Sequence, residues 1–168
     1  MTEGGSPRKS SFAPVVAPDT RVLILGSLPG ERSLAEHRYY AHPQNRFWQL
    51  VGGVIGVDLP ALAYDDRLTA LRAHRIGLWD TIASARREGS LDGAIREAEH
   101  NPLRELTDSL PDLRAVAFNG GTSAKTGMAL LAGSAFALVP LPSSSPAYAA
   151  MPVAQKQLRW TALCEFLR

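Results

Sequence analysis

Four short apolar runs limit what this chain can fold into more than any other feature of its sequence. They occupy residues 22–25, 76–79, 115–118 and 136–139. Their apolar character is continuous and does not alternate with polar residues, which is typical of strands buried on both faces of a sheet. Each run is followed by a residue suited to a turn or a site, namely Gly26, Asp80, Asn119 and Pro140.

Segments with helical spacing separate these runs. They cover residues 46–55, 62–74, 101–110, 122–131 and 153–167. The pair Asn101-Pro102 is a typical helix start, because asparagine caps a helix and proline fits its first turn. Strands that alternate with helices form parallel sheets covered on both faces. The sequence therefore predicts an α/β fold, a three-layer α/β/α sandwich with a central four-stranded parallel sheet.

Length and local composition indicate the domain boundaries. A chain of 168 residues has the usual size of one domain. Residues 1–10 are small and polar, which predicts a mobile N-terminal tail. No linker interrupts the remainder, so we expect residues 11–168 to form a single domain.

Composition excludes several classes of protein and site. The single cysteine, Cys164, excludes a disulfide framework, a cysteine zinc site and a four-cysteine cluster. The four histidines match no metal-binding spacing, and we expect neither a metal nor a cofactor. No apolar run approaches the roughly 20 residues of a membrane span, so a cytoplasmic protein is expected. The net charge of +2 by itself indicates no polyanionic partner.

Chemistry is expected in the loops after the strands, because ligands of parallel sheets bind at the carboxyl ends of the strands. The first of these loops begins Gly-Ser-Leu-Pro-Gly at Gly26. It lacks the Gly-Lys-Ser/Thr ending of a phosphate-binding P-loop and the Gly-x-Ser-x-Gly of a nucleophile elbow. The last loop carries Ser143, Ser144 and Ser145 between two prolines. It is either an ordinary turn or a stiff loop whose hydroxyls and amides contact phosphates.

Five ordered segments of these loops together resemble the uracil-DNA glycosylase superfamily, and within it the hypoxanthine-DNA (deoxyinosine) glycosylase branch, family six. They read Gly-Ser-Leu-Pro-Gly, Tyr-Tyr-Ala-His-Pro-Gln-Asn-Arg-Phe-Trp, Leu-Trp-Asp-Thr, Phe-Asn-Gly and Leu-Pro-Ser-Ser-Ser-Pro-Ala. The resemblance runs from about residue 12 to the final helix. It implies a monomeric, monofunctional base-excision repair enzyme without a metal, which binds DNA containing deaminated bases. Such an enzyme flips out hypoxanthine, or uracil, and hydrolyses its N-glycosidic bond.

The resemblance also suggests a catalytic residue. In many members of the superfamily, the position two residues after the first glycine holds a catalytic Asp or Asn, and here it holds Leu28. The hypoxanthine branch looks similar in placing an asparagine at the position of Asn45 instead. Its carbonyl can orient a water toward C1′ of the flipped nucleotide. The alternative is that Asn45 only caps the helix that follows it.

Further roles in binding the base follow from the same resemblance. Asp80 lies where relatives read the flipped base, and a carboxylate can accept from N1–H of hypoxanthine or N3–H of uracil. Tyr40 lies where relatives stack an aromatic ring on the base, and Ser27 and the backbone of Leu28 contact the base or the sugar. If Asp80 were buried, its pKa would rise, and the protonated acid could donate to O6 of the base instead. The alternatives are a strand-end turn for Asp80 and core packing for Tyr40.

The DNA itself is expected to meet the serine-rich loop and one arginine. Ser143, Ser144 and Ser145 match the loop that relatives press into the minor groove, and Arg46 is a candidate phosphate contact. Two other functions stay open: a mismatch-specific uracil or thymine DNA glycosylase, and a damaged-DNA-binding protein with little catalysis. Leu28 argues against the first, and keeps the second open because Asn45 alone would then supply activity.

Overall fold

The computed structural model describes residues 8–168. Its strands are β1 Arg8–Ser10, β2 Val22–Gly26, β3 Ile76–Asp80, β4 Ile82–Arg86, β5 Arg96–His100, β6 Ala115–Asn119 and β7 Ala137–Leu141. Its α-helices are α1 Glu31–Glu36, α2 Phe47–Ile55, α3 Tyr64–Ala73, α4 Leu103–Asp108, α5 Gly121–Leu130 and α6 Val153–Thr161. Short 3₁₀ turns cover Leu59–Ala61, Asp92–Ala94 and Ala162–Phe166.

The central sheet has four parallel strands in the order β3-β2-β6-β7. The chain passes from β2 to β3 on one side and later places β6 on the other side of β2. The strand order therefore reverses between β2 and β6, and a crevice for a ligand is expected at their carboxyl ends. These strands correspond to the four apolar runs, with the last one shifted to Ala137–Leu141.

Alternate residues of the central strands pack into two separate cores. Val22 and Ile24 face the layer formed by α2, α3 and α6. Leu23 and Leu25 face the opposite layer, which contains α4 and α5. Strands buried on both faces need apolar side chains at every position, which explains the continuous runs of β2, β3 and β6. The prediction of burial on both faces is wrong for β7, an edge strand that is mostly half-buried. The predicted three-layer α/β/α sandwich with a four-stranded parallel sheet is confirmed.

A second, antiparallel sheet of order β1-β4-β5 was not predicted. Strands β1 and β5 are polar and mostly exposed, and β4 buries only Ile82 and Ala85, so these strands lack the apolar periodicity that identifies a strand in a sequence. Arg8–Ser10 pairs with β4, with Lys9 opposite Ala85. The prediction of a mobile tail over residues 1–10 is therefore wrong for these three residues, while residues 1–7 lie outside the described part of the chain.

The helices also differ from the predicted ranges by one or more residues at most of their ends. Asn101 does not cap α4, whose first residue follows Pro102. Its side-chain amide instead donates to the Asp80 carbonyl at 2.8 Å, which ties the start of α4 to the end of β3. The short helix α1 was not predicted. Among the helices of residues 8–168, none combines the length and apolar character needed to cross a membrane.

Candidate active site

A cavity of about 470 Å³ opens at the carboxyl ends of the central strands. Among its lining residues are all those predicted to bind the base or to catalyse: Ser27, Leu28, Tyr40, Asn45 and Asp80. The serine loop, which we define as residues 143–145, lines the same cavity. Arg46 lies outside this lining, in a neighbouring groove that it shares with Asn45. The fold therefore brings together residues that are up to about 120 positions apart in the chain.

The floor of the cavity is formed by Gly26 at the end of β2 and by Asp80, its register partner in β3. A Cβ atom at Gly26 would stand 2.6 Å from Asp80 Oδ1 and 2.8 Å from the hydroxyl oxygen of Tyr40. Both distances are too short for a real side chain. Only glycine therefore allows these two polar groups to approach the backbone of β2.

Asp80 is a buried carboxyl with an unused acceptor. It is 4% exposed, and its Oδ2 has no hydrogen-bond partner within the described residues. Burial raises the pKa of Asp80 to about 7; the charge of Asp92 also raises this pKa, and the guanidinium of Arg87 lowers it. Near neutral pH, Asp80 therefore exists in both forms. The ionised carboxylate accepts hydrogen bonds, and the protonated acid can also donate one.

Tyr40 contributes a buried hydroxyl as well as a ring. Its ring stacks on Phe47 with 3.8 Å between ring centroids and 12° between planes. Its hydroxyl is buried close to the side chain of Asn119, which lowers the pKa of Tyr40 against the larger raising effect of burial, but it makes no hydrogen bond of normal geometry within the described residues. The backbone of Tyr40 has φ of 52°, in the left-handed region that is uncommon for a non-glycine residue. The stacking on Phe47 agrees with the core-packing interpretation of Tyr40. The residue also lines the cavity, which is compatible with the base-stacking interpretation.

Asn45 sits at the entrance to α2, half-buried and in the cavity wall. Its Oδ1 accepts a 2.9 Å hydrogen bond from the backbone N–H of Phe47. Because α2 begins at Phe47, one residue later than predicted, Arg46 occupies the N-cap position, and Asn45 makes a cap-like contact from the residue before it. It occupies one lone pair of the carbonyl oxygen and fixes the direction of the amide.

The tip of the β4–β5 hairpin forms a wall of the cavity. Asp92 Oδ1 accepts a 2.7 Å hydrogen bond from the Ser27 hydroxyl. Arg87, which is fully buried, donates to the carbonyls of Leu28 and Pro29. The hairpin therefore holds the loop that contains the predicted base-binding residues Ser27 and Leu28.

Asn119, at the end of β6, organises the serine loop. Its Nδ2 donates to Ser144 Oγ, and its Oδ1 accepts from the Ser144 N–H, both at 2.9 Å. Ser144 is buried, and its carbonyl accepts from the backbone N–H of Arg46 at 3.0 Å. Ser144 is thus engaged within the protein, whereas Ser143 and Ser145 stay half-exposed at the cavity.

Asn119, Arg87 and Asp92 were not predicted as site residues. A signal existed for Asn119, because it follows an apolar run as Gly26 and Asp80 do. The other two lie in a polar hairpin without hydrophobic periodicity, and only the folded chain brings them to the cavity. Within residues 8–168, no group of three or more His, Cys, Asp or Glu side chains is placed to hold a metal ion.

Comparison with known proteins agrees with this arrangement. The family model of the Uracil DNA glycosylase superfamily matches residues 13–166. A Hypoxanthine DNA glycosylase of Methanosarcina barkeri is 47% identical over 116 residues, which cover 69% of this chain and 73% of that protein. A protein of the same name from Methanosarcina acetivorans is 42% identical over 139 residues, 83% of this chain and 87% of that one.

A solved structure shares the whole fold. The solution NMR structure of a protein from Methanosarcina acetivorans superposes with a TM-score of 0.86 at 38% sequence identity. The superposition covers 96% of this chain and 99% of that chain. The family match spans both layers of helices, the central sheet and every loop of the cavity. The chain belongs to the uracil DNA glycosylase superfamily and is a DNA glycosylase, a hydrolase of N-glycosidic bonds.

Proposed function

We propose that the chain releases hypoxanthine from deaminated DNA as a monomer, by hydrolysing the N-glycosidic bond of a flipped-out nucleotide, with uracil as a second substrate. Two relatives that bear the name Hypoxanthine DNA glycosylase support the choice of base. One observation carries the proposal: the unpartnered Oδ2 of Asp80 lies at the floor of a cavity whose wall holds Asn45.

The ionised form of Asp80 selects the base by the hydrogen on its ring nitrogen. A carboxylate only accepts hydrogen bonds, and hypoxanthine presents N1–H to it. Adenine carries a lone pair at N1, which the carboxylate repels, so the normal purine is rejected. Because the pKa of Asp80 is about 7, its ionised fraction grows across neutral pH. Release of hypoxanthine is therefore expected to accelerate as the pH rises through that value.

The side chain of Asn45 positions the attacking water. Its Oδ1 accepts one hydrogen bond from the N–H of Phe47, and the second lone pair of that oxygen can accept from water. The contact with Phe47 holds the amide in one orientation before the substrate arrives, which removes a reorganisation cost from the reaction. The capping role and the proposed role in the reaction thus use the same oxygen.

The base specificity can be tested with four DNA duplexes. They carry inosine, uracil, xanthine or a G·T mismatch, and abasic products are cleaved with alkali. We expect the most product from the inosine duplex. We expect less from uracil, because the serine loop lacks the histidine found in this loop of the main uracil-specific enzymes of the superfamily. In Asp80→Asn, the preference between inosine and uracil should change. Absence of product from all four duplexes would contradict the proposed activity.

The role of Asn45 can be separated from its capping contact by comparing two variants. Asn45→Ser keeps an oxygen that caps α2, so its free energy of unfolding should stay within about 0.5 kcal/mol of wild type. Its shorter side chain no longer reaches the water, and the rate of base release should fall by a factor on the order of 100. Asn45→Ala also loses the cap, which costs about 1 kcal/mol of stability. Base release at the wild-type rate in both variants would exclude Asn45 as the water-positioning residue.

A further inference from the structure

Two buried oxygens at the floor of the cavity lack the hydrogen bonds that buried polar atoms normally make. They are the hydroxyl oxygen of Tyr40 and Oδ2 of Asp80, and both residues line the cavity. Of the three such atoms within residues 8–168, only Thr81 Oγ1 belongs to a residue outside that lining. An unpartnered buried polar atom lowers stability, so two of them on one cavity wall indicate a ligand that pairs with both.

The phenol of Tyr40 and the carboxyl of Asp80 meet at one point above the backbone of β2. A Cβ atom at Gly26 would stand 2.8 Å from the hydroxyl oxygen of Tyr40 and 2.6 Å from Oδ1 of Asp80. Two groups this close to a common point can contact adjacent atoms of a single ring. The partner of both groups is therefore expected to be one small planar molecule or base.

The Tyr40 hydroxyl can serve as the donor of this pair. Burial raises the pKa of Tyr40 and the charge of Asp80 raises it further, so the hydroxyl keeps its proton at neutral pH. The side chain of Asn119 has the smaller, opposite effect, which a donor near the phenol oxygen produces. Oδ1 of Asn119 already accepts from the N–H of Ser144. Because none of the described residues accepts the hydroxyl hydrogen of Tyr40, it is available to an acceptor outside the chain.

A base can reach these oxygens after a small movement of Tyr40. Neither the hydroxyl oxygen of Tyr40 nor Oδ2 of Asp80 is itself exposed. Tyr40 as a whole is half-exposed, and it borders both the cavity and the neighbouring groove. The free space on two sides of Tyr40 allows its side chain to shift toward a base that enters the cavity.

We propose that the Tyr40 hydroxyl donates a hydrogen bond to the keto oxygen of the flipped-out base, while Asp80 accepts from the adjacent ring N–H. Hypoxanthine presents this edge as O6 and N1–H, and uracil presents it as O4 and N3–H. Adenine and cytosine carry a ring lone pair in place of the N–H, which ionised Asp80 repels. Guanine also has the keto and N–H edge, so this pair does not by itself reject guanine. The inference rests on the proposed function and adds to it the residue that reads the keto oxygen.

Replacement of the keto oxygen by sulfur tests the contact. The probes are duplexes with 2′-fluoroarabino-inosine, whose sugar resists hydrolysis, and with its 6-thio analogue, which keeps N1–H. Sulfur is a weaker hydrogen-bond acceptor than oxygen, so wild type should bind the oxygen duplex about tenfold more tightly. Tyr40→Phe keeps the ring and removes only the hydroxyl. We expect its affinity for the oxygen duplex to fall about tenfold, and its affinity for the sulfur duplex to change by less than about twofold.

A second tyrosine provides the matched control. The hydroxyl of Tyr64 accepts from the N–H of Tyr39 at 2.9 Å, and Tyr64 lies outside the lining of the cavity. Tyr64→Phe should therefore keep the wild-type ratio of oxygen to sulfur affinities. Thermal unfolding gives a second readout: Tyr64→Phe should lower the melting temperature, whereas Tyr40→Phe should not, because its hydroxyl has no partner to lose. A wild-type affinity ratio in Tyr40→Phe, or a lowered melting temperature of that variant, would overturn the proposed contact.

Failure of the proposed function would be visible separately, because release of hypoxanthine is measured on an ordinary deoxyinosine duplex and the contact is measured by binding. A wild-type protein that releases no hypoxanthine, but whose preference for oxygen over sulfur is lost in Tyr40→Phe, would contradict the function and leave the contact supported. Release of hypoxanthine by wild type, with the same preference in Tyr40→Phe, would contradict the contact and leave the proposed function supported.

Discussion

Tyr40 and Asp80, at the floor of the cavity, lower the stability of the folded protein. The Tyr40 hydroxyl and Asp80 Oδ2 are buried without partners in the described part of the chain. Tyr40 also adopts a left-handed backbone conformation, with φ of 52°. Unsatisfied buried groups and strained backbone occur preferentially at functional sites, where a ligand relieves them. Stability has therefore been given up at the positions that face the proposed base.

Asp80→Asn is expected to stabilise the protein more at high pH than at low pH. The folded-state pKa of Asp80 is about 7, above the ordinary value of 3.8. Between these two values, the unfolded carboxyl ionises while the folded one stays protonated, so the free energy of unfolding of wild type falls as the pH rises. From about pH 5 to pH 8, wild type should lose about 3 kcal/mol relative to Asp80→Asn. Urea denaturation at both pH values measures this difference; a constant difference would contradict the raised pKa.

At the scale of secondary-structure elements, the site depends on how strand ends and the hairpin meet. The end of β2 must be bare of side chains for Asp80 and Tyr40 to come close to it. The β4–β5 hairpin then closes over the loop after β2 through Arg87 and Asp92. The cavity is formed by the packing of these strand ends, the loop after β2 and the hairpin, and no one of these elements forms it alone.

Gly26→Ala is expected to disrupt the floor of the cavity. Its Cβ would collide with Asp80 Oδ1 and with the Tyr40 hydroxyl, so one or both must shift. Overpacking of this kind costs about 1–3 kcal/mol of stability, and base release should fall at least about tenfold. Gly30→Ala is the matched control in the same loop, because its Cβ would meet only the flexible side chain of Ser90, at 3.4 Å. Equal activity of the two variants would contradict the close approach at Gly26.

Arg87→Met is expected to loosen the hairpin from the loop after β2. The guanidinium of Arg87 donates to the carbonyls of Leu28, Pro29 and Gly89. Without it, the carbonyls of Leu28 and Pro29 lose their donor inside the protein, which costs about 2–4 kcal/mol of unfolding free energy. The carbonyl of Gly89 still accepts from Lys9 Nζ. Arg96→Met, on the exposed strand of the same hairpin, is the control and should change stability by less than about 1 kcal/mol. Chemical denaturation compares the two; equal effects would mean that Arg87 does not anchor the loop.

At the scale of the whole molecule, the last helix joins the core to the serine loop at the cavity. Trp160 of α6 is fully buried and packs against Phe47 of α2 with 5.8 Å between ring centroids. Its Nε1 donates to the Pro142 carbonyl at 2.9 Å, one residue before the serine loop. Trp160 therefore couples the core of one helical layer to the serine loop.

Trp160→Phe is expected to affect stability and base release together. The variant loses the hydrogen bond to Pro142 and leaves a small void, which costs about 2 kcal/mol. The serine loop is then less well held, and the rate of base release should fall several-fold. Leu158→Ala, 77% exposed on the same helix, should leave both quantities unchanged. A stability loss in Trp160→Phe without any change in base release would contradict the coupling.

Sequence alone determined the layered architecture and much of the candidate site. Strands buried on both faces appear in the sequence as continuous apolar runs. The carboxyl end of each parallel strand lies at the same edge of the sheet. The order of strands and loops therefore placed the segments after the strands at one edge of the sheet, and the family resemblance then indicated Asn45, Asp80, Tyr40 and Ser27 within them. The local capping contact of Asn45 was also predictable, because it joins residues two positions apart.

Tertiary structure alone decided which distant polar groups meet at that cavity. The strand Arg8–Ser10 is polar, and so is the hairpin that brings Arg87 and Asp92 to the first loop. Hydrophobic periodicity in the sequence therefore predicts neither of them. The same holds for the Tyr40 hydroxyl, whose lack of a hydrogen-bond partner among the described residues becomes visible only when every surrounding element is in place. Hydrophobic periodicity is a property of residues that are adjacent in the sequence. Burial, charge pairing and the pKa of Asp80 depend instead on neighbours that are remote in the sequence.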